Sequence, residues 1–195
     1  MLVDLHCHTA PRSTCSSLRP EELVDGARAA GLDAICLTEH DTFWPEAELQ
    51  DLRGRTNFPV FAAIELTTDI GHLLAFGLPG DAGPLPTAAA AFAAAQSAAG
   101  LLYLAHPARD GLLRVTADVV RCCASVEAAN GSDSRLKNLA AAGLARGFAL
   151  PGIGGSDCHR PGEIATAATE FERHVGSHAE LLAELRSGRY RAVVF

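Results

Sequence analysis

The stretch that decides the fold is Leu2-Val3-Asp4-Leu5-His6-Cys7-His8-Thr9. It starts as a short apolar run and ends in two histidines that are two positions apart. Alternate side chains of a β-strand leave the same face, so the imidazoles of His6 and His8 share one face and Cys7 lies on the other. The stretch therefore predicts a buried strand that brings two potential metal ligands to one site.

Further short apolar runs follow along the chain and predict more buried strands. With residues 2–5, they are residues 34–37, 60–64, 101–105, 126–129, 152–154 and 192–195. Segments with helical spacing lie between them, at residues 20–31, 87–99, 134–146 and 177–187. Strands that alternate with helices pair in parallel through crossovers, and about seven such units fit a small, irregular β/α barrel. We therefore expect an α/β fold with a single domain over residues 1–195.

The composition excludes several classes of protein. The 195 residues are 48% hydrophobic and 20% charged, which is typical of one globular domain. A chain of this length buries a core large enough to be stable without disulfide bonds or a structural metal ion. The net charge is −7 and Lys137 is the only lysine, so a nucleic-acid duplex is not an expected partner. The most apolar stretch, residues 85–104, is broken by Pro86 and Gly100, so we expect no membrane span.

Localisation and redox state follow from two further features. Met1 leads directly into the first predicted strand without a basic region or a cleavable apolar segment, so the cytoplasm is the expected location. The six cysteines include no CxxC pair, which favours reduced thiols, with Cys36 as a small buried hydrophobe. No obligate protein partner is evident.

The histidines give the main functional signal. Of eight, His174 and His178 are predicted to be surface residues, whereas the other six lie at the ends of predicted strands: His6, His8, His40, His72, His106 and His159. Parallel β/α folds form their sites at the carboxyl ends of strands. Asp157 and His159 repeat the spacing of His6 and His8, with Cys158 on the opposite face. Together with Glu65 these residues predict a metal site.

At these positions the sequence resembles the PHP superfamily, the metal-dependent phosphoesterases named after polymerase and histidinol phosphatase. The resemblance covers nearly the whole chain in four ordered motifs: Asp4-Leu5-His6-Cys7-His8-Thr9, Thr38-Glu39-His40-Asp41, Leu104-Ala105-His106-Pro107 and Gly155-Ser156-Asp157-Cys158-His159. Glu65 and the segment around His72 supply intervening ligands. The resemblance implies a distorted seven-stranded (β/α)7 barrel that holds two or three divalent ions.

The resemblance also implies a role for each ligand. His6, His8, Glu65 and Asp157 would hold a first ion and a metal-bound water, and Glu65 would bridge to a second ion. That second ion would be bound by His72 and His106, and a third by His40 and His159. Imidazole and carboxylate ligands suit Zn, Mn or Fe, with Mg also compatible, so ligand type alone does not select the metal.

The third metal position departs from the family pattern, which has an Asp or His after the first motif. Counting from His8 places Ser13 there, and counting back from the helix that starts near Pro20 places Cys15 there. Three interpretations remain open: a binuclear enzyme, a weak third site completed by water, or a thiolate ligand from Cys15 that favours zinc or iron. We favour a weak or absent third ion.

Several other residues are candidates for supporting roles. Arg12, Arg109 and Arg160 each follow a ligand motif and are candidates to bind substrate phosphate, because guanidinium groups form paired hydrogen bonds with phosphate. Asn130 ends another predicted strand, and the resemblance makes it a candidate pocket residue because family members often carry an Asn-Gly pair there, with a simple turn as the alternative. Asp4, Glu39 and Asp41 flank ligands and are candidates to orient imidazoles, or else are solvated or capping carboxylates.

The resemblance implies a metal-dependent phosphoesterase, and the predicted metal ligands by themselves favour a hydrolase. Its substrate would be a small phosphorylated metabolite, a nucleotide or a short oligonucleotide, hydrolysed by a metal-bound hydroxide that two nearby ions activate. One alternative is an amidohydrolase-type enzyme that cleaves C–N or ester bonds. Such enzymes usually carry a lysine that bridges the metals, whereas the only lysine here, Lys137, lies far from every ligand motif. A second alternative is a non-catalytic metal-binding module.

Overall fold

The computed structural model describes residues 1–195. Its ten strands are β1 (Leu2–Cys7), β2 (Ala34–Leu37), β3 (Val60–Ala62), β4 (Ile64–Thr68), β5 (Gly71–Phe76), β6 (Leu101–Leu104), β7 (Ser125–Asn130), β8 (Ile153–Gly155), β9 (Ala167–Phe171) and β10 (Tyr190–Val194). Its six α-helices are α1 (Pro20–Ala29), α2 (Glu46–Thr56), α3 (Ala88–Ala98), α4 (Ala117–Cys122), α5 (Arg135–Gly147) and α6 (His178–Ser187), and a short 3-10 helix covers Pro161–Glu163.

The strands form two mixed sheets of five. Their orders are β10-β9-β1-β2-β3 and β4-β5-β6-β7-β8. The pairs β1–β2, β2–β3, β6–β7 and β7–β8 are parallel, whereas β1–β9, β9–β10, β4–β5 and β5–β6 are antiparallel. Only single bridges, Cys7 with Cys158 and His40 with Glu65, connect one sheet to the other. The fold is therefore mixed α/β, and a closed seven-stranded barrel is not observed.

The core lies between and outside the two sheets. The largest cluster combines side chains from both sheets, including Leu5, Phe76 and Tyr103, with Leu181 of α6. A second cluster joins β1 and β2 to α1 and includes Cys7 and Cys158. Cys7, which lies on the far side of β1 from His6 and His8, is therefore fully buried.

Sequence patterns predicted most of the elements, and the exceptions have physical reasons. The run at residues 60–64 covers β3 and only the first residue of β4, because the chain passes from one sheet to the other at Ala63. The antiparallel strands β5 and β9 were not expected from alternation of strands and helices. Helix α2 was missed because only Leu49 and Leu52 of its eleven residues are buried, which leaves little apolar periodicity.

Helix α1 shows how local sequence determines an element that supports the site. Pro20 occupies the first turn, where its missing N–H costs nothing, and Glu22 accepts a hydrogen bond from the backbone N–H of Arg19 at 3.1 Å. Leu23, Val24 and Ala27 then form the buried face of the helix.

No helix combines the length and apolar character that crossing a bilayer requires.

Candidate metal centre

The end of β1 presents both of its histidines to one site. The pairing of β1 with β2 shifts register between Asp4 and Cys7. Beyond this irregularity the Nε2 atoms of His6 and His8 lie 3.0 Å apart, whereas Cys7 packs in the cluster beneath α1. Both imidazoles are fully buried. The expected shared face of His6 and His8 is therefore present.

Glu65 lies at the centre of the predicted ligands. Its Oε1 is 2.8 Å from His72 Nδ1 and 3.0 Å from His106 Nε2. Its Oε2 lies 3.1–3.3 Å from nitrogens of His6, His8 and His40. One carboxylate therefore faces a different group of imidazoles with each oxygen, which is the arrangement expected of a ligand that bridges two ions.

Asp157 closes the group around His6 and His8. Its Oδ1 lies 3.4 Å from His6 Nε2 and 3.2 Å from His8 Nε2. Its Oδ2 accepts hydrogen bonds from Arg109 at 2.7 Å and from Asn130 at 3.2 Å. Asp157 thus offers one oxygen to the imidazoles while two neighbouring side chains hold the other.

The placement of His72 corrects one expectation. His72 is near the start of β5, not at the end of a strand. Because β5 runs antiparallel to β6, its amino-terminal end lies beside the carboxyl-terminal end of β6, next to His106.

Two of the predicted ligands have unusual backbone conformations: His106 and Asp157 have φ values of 30° and 53°. Such values are unusual for side-chain-bearing residues and tend to occur at functional sites.

Glu127 is a site residue that the sequence analysis did not identify. It is fully buried on β7, and its Oε1 lies 2.9 Å from His6 Nδ1. Its Oε2 accepts hydrogen bonds from the backbone N–H of His106 at 2.7 Å and from Asn130 at 3.0 Å. The available signal was an acidic residue inside an otherwise apolar strand, since a buried carboxylate requires partners.

The rings of His40 and His159 both stack against the ring of His8. Ring centroids are 4.5 Å apart for His8 and His40 and 4.4 Å apart for His8 and His159. One potential ligand atom from each of these three residues lies within 4.8 Å of the others. The structure therefore brings together all eight predicted ligands, including the pair expected at a third position.

The third position has no carboxylate or additional imidazole. Ser13 is buried, with its Oγ 3.2 Å from His8 Nδ1 and 2.5 Å from Glu39 Oε2, to which it donates. Cys15 is exposed and belongs to none of the groups of close potential ligands. Ser13 therefore connects His8 to a buried carboxylate, while Cys15 lies outside the cluster.

The four predicted substrate contacts have different environments. Arg12 pairs with Glu48 at 2.6 Å and covers the ring of Trp44, and Arg160 is exposed beside the 3-10 helix. Arg109 also donates to Asp133, at 2.9 Å. Asn130 is only 1% exposed, so its contacts are with site residues. Of these four residues, Arg109 and Asn130 touch predicted ligands.

A cavity of about 260 Å³ adjoins one side of the centre. His72, His106 and Arg109 form the wall nearest the ligands. Ile70, Leu112, Val115 and Arg114 contribute to the remaining walls. The cavity therefore opens from the imidazoles that face Glu65 Oε1 and combines apolar surface with the guanidinium groups of Arg109 and Arg114 and the carboxylate of Asp110.

The flanking acidic residues do not contact the imidazole rings. Asp4 Oδ1 accepts hydrogen bonds from the backbone N–H groups of His6 and Ser156, and Asp41 accepts one from the backbone of Thr67. Glu39 reaches His8 only through Ser13. His174 and His178 are exposed, as expected.

The electrostatics of the site are dominated by buried carboxylates. Burial favours a neutral His6, but Glu127, Asp157 and Glu65 raise the pKa of His6 well above its usual value. Burial alone would raise the pKa of Glu65, yet His6 and the neighbouring imidazoles hold that pKa well below its usual value. The ionised carboxylates therefore create negative charge that a bound cation would balance.

The fold and the site together define a mixed α/β protein in which histidines and carboxylates meet at the edges of two sheets. Two family models match its sequence. The PHP domain model matches residues 4–101 and the model of the PHP-associated region matches residues 135–190. The chain is therefore a member of the PHP domain family. No curated protein sequence matches it.

Solved structures share the fold. A two-domain protein from Bacteroides vulgatus that contains a predicted PHP-like metal-dependent phosphoesterase superposes with a TM-score of 0.75 and 24% identity over 100% of this chain. The chain spans 64% of the length of that protein. A candidate metal-dependent phosphoesterase from Bifidobacterium adolescentis gives a TM-score of 0.67 and 16% identity, with 95% of this chain and 96% of that chain covered.

An amidohydrolase from Chromobacterium violaceum, solved with bound sulfate and no metal, is also similar. Its TM-score is 0.68 and its identity 18%, with 83% of this chain and 89% of that chain covered. At these identities the structural likeness establishes the fold.

Proposed function

We propose that the chain is a metal-dependent phosphoesterase that hydrolyses a small phosphorylated metabolite, nucleotide or short oligonucleotide. The observation that carries the proposal is the position of Glu65, a buried carboxylate with five imidazoles around its two oxygens. Structural packing alone gives no reason to place so many nitrogen and oxygen ligands together.

The residues fit divalent ions. Glu65 Oε2 is buried and has no hydrogen-bond partner, although three imidazole nitrogens lie within 3.3 Å of it. The nitrogens of His6 and His8 also face each other at 3.0 Å. An ion coordinated by Glu65 Oε2 and the Nε2 atoms of His6 and His8 would satisfy these three atoms at once. His6, His8, Glu65 and Asp157 would hold a first ion, and Glu65, His72 and His106 a second.

When bound, divalent ions of this kind lower the pKa of water and stabilise charge on phosphate oxygens. The protein's own residues prepare the site for that chemistry. Glu127 would fix the orientation and tautomer of His6 by accepting a hydrogen bond from Nδ1–H, which leaves Nε2 free to act as a ligand. Arg109 and Asn130 hold Asp157 Oδ2, so that Oδ1 stays directed at the imidazoles.

The adjoining cavity suits the alcohol part of the substrate. It begins at His72 and His106, so a phosphoryl group held near Glu65 would direct its leaving group into the space between Ile70 and Val115. A volume of about 260 Å³ is slightly below the usual range for ligand pockets, which favours a small leaving group.

The test is phosphate or nucleoside release from a panel of mononucleotides, sugar phosphates and short oligonucleotides with manganese. Wild-type protein, a chelated sample and the variant His6→Ala are compared, with His174→Ala as a matched control because His174 is exposed and outside the site. We expect chelator-sensitive turnover that His6→Ala abolishes and His174→Ala retains.

An amidohydrolase-type hydrolase is the second candidate, supported by the similarity to the Chromobacterium violaceum protein. The same variants assayed on amide and ester substrates separate the two. Turnover of these substrates without phosphoester cleavage would replace the first proposal, and metal retention without turnover on either panel would indicate a non-catalytic metal-binding module.

A further inference from the structure

A second cluster of potential ligands lies on the opposite side of β1 from the histidines. It contains Asp4, Cys7 and Cys158, whose potential ligand atoms all lie within 4.8 Å of one another. All three residues are 0% exposed. The cluster uses none of the residues assigned to the histidine centre and is separated from it by the backbone of β1.

The backbone makes this cluster a fixed feature. Cys7 and Cys158 form a parallel bridge between the two sheets, and the N–H of His8 donates to the carbonyl of Cys158 at 3.2 Å. Cys7 lies between His6 and His8, and Cys158 between Asp157 and His159. The two sulfur atoms therefore face each other directly behind four predicted ligands.

Asp4 supplies an independent indication of a ligand. Its Oδ1 accepts two backbone hydrogen bonds, but its Oδ2 is buried and has no hydrogen-bond partner. An unpartnered buried carboxylate oxygen is costly, so native structures usually provide it with a donor or an ion.

We propose that Asp4, Cys7 and Cys158 form a structural site for a thiophilic divalent ion such as zinc. Two thiolates and the Asp4 carboxylate would coordinate the ion and together carry one negative charge more than its positive charge, and each thiol would release its proton to solvent on binding. Zinc–sulfur bonds of about 2.3 Å place two thiolates about 3.8 Å apart in a tetrahedral site, so only a small contraction of the cluster is required. Sulfur ligands select zinc over manganese or magnesium.

The site would hold the two sheets together where the histidine centre is assembled. Because the Cys7–Cys158 bridge joins the sheets beside His6, His8, Asp157 and His159, an ion bound to both sulfurs would fix the separation of these residues. This role is independent of the chemistry at the histidine centre and stands whether or not the chain hydrolyses phosphoesters.

Cobalt substitution of the full chain provides the test. Thiolate–cobalt(II) bonds give intense near-ultraviolet charge-transfer absorption, which imidazole and carboxylate ligands do not give. We expect this absorption in wild-type protein, in Cys36→Ala as a buried-thiol control and in Cys15→Ser. We expect Cys7→Ala and Cys158→Ala to abolish it. X-ray absorption of zinc-loaded wild type, which needs no variant, should show sulfur neighbours at about 2.3 Å.

Three results would overturn the proposal. The first is a wild-type protein without charge-transfer absorption and without zinc–sulfur scattering. The second is absorption that survives in both Cys7→Ala and Cys158→Ala. The third is absorption lost in Cys15→Ser, which would assign the thiolate to the histidine centre. Since none of these measurements reads turnover, they are separate from the phosphoesterase assay.

Discussion

His6 and Glu127 form a buried imidazole–carboxylate pair, with Nδ1 and Oε1 2.9 Å apart and both side chains fully inaccessible to solvent. The other oxygen of Glu127 holds the backbone N–H of His106, which belongs to the opposite group of ligands around Glu65. One carboxylate therefore positions residues of both predicted metal positions.

This relationship predicts that Glu127→Gln weakens metal binding while the fold is retained. A neutral amide no longer raises the basicity of His6 and cannot accept all three former hydrogen bonds, so we expect manganese affinity to fall roughly 10–100-fold. Isothermal titration calorimetry with manganese measures the change, using protein from which metal and chelator have been removed. Glu170→Gln is the control, since Glu170 pairs with Arg191 outside the site. Equal affinities for Glu127→Gln and wild type would contradict the positioning role.

Replacing Gly155 by a residue with a side chain should destabilise the fold strongly. A Cβ at this position would lie 2.4 Å from His6 Cβ and 2.7 Å from the His6 backbone nitrogen, so β1 and β8 would have to separate. We expect Gly155→Ala to lower the free energy of unfolding by about 1–3 kcal/mol or more, measured by urea denaturation.

Gly54→Ala is the matched control for that substitution. Gly54 lies in α2, and nothing lies within 4 Å of an added Cβ. Alanine is the better helix former, so this variant should gain up to about 1 kcal/mol. Similar losses for Gly54→Ala and Gly155→Ala would show that close packing against His6 is not the cause.

How far the sequence predicts this molecule is shown by Asp157 and Glu127. Asp157 was identified because its spacing from His159 repeats that of His6 and His8. Glu127 has no such partner in sequence: the pairing of β6 with β7 brings it beside His106, and its contact with His6 crosses from one sheet to the other. The apolar runs likewise predicted neither β5 nor β9 as a strand and carry no strand direction, which is why the antiparallel pairs and the two-sheet arrangement were not foreseen.

The metal count at the histidine centre is a further prediction. Because Ser13 links His8 to Glu39 and Cys15 is exposed, we expect two tightly bound manganese ions per chain and no third of similar affinity. Manganese is the suitable probe, since it prefers oxygen and nitrogen to sulfur ligands. Metal analysis after gel filtration measures the count, and Cys15→Ser should leave it unchanged. Three retained ions, or one lost in Cys15→Ser, would disprove this assignment.

The pH dependence of metal binding follows from the imidazoles. In the metal-free protein the pKa values of His6, His8 and His72 are raised, so the folded state holds these protons to higher pH than the unfolded chain. Their stabilisation is complete below about pH 6.5 and is lost as pH rises through the folded values. Burial lowers the pKa of His40 to about 4, so His40 remains neutral in this range.

A metal ion must displace those protons, so its apparent affinity rises as the metal-free protein loses this stabilisation. We therefore expect the increase in Tm produced by a fixed manganese concentration to be larger at about pH 8 than at about pH 6.5. Thermal melts with manganese or with chelator at each pH measure the difference. An increase that is the same at both values, or larger at the lower one, would show that these imidazoles do not bind the ion.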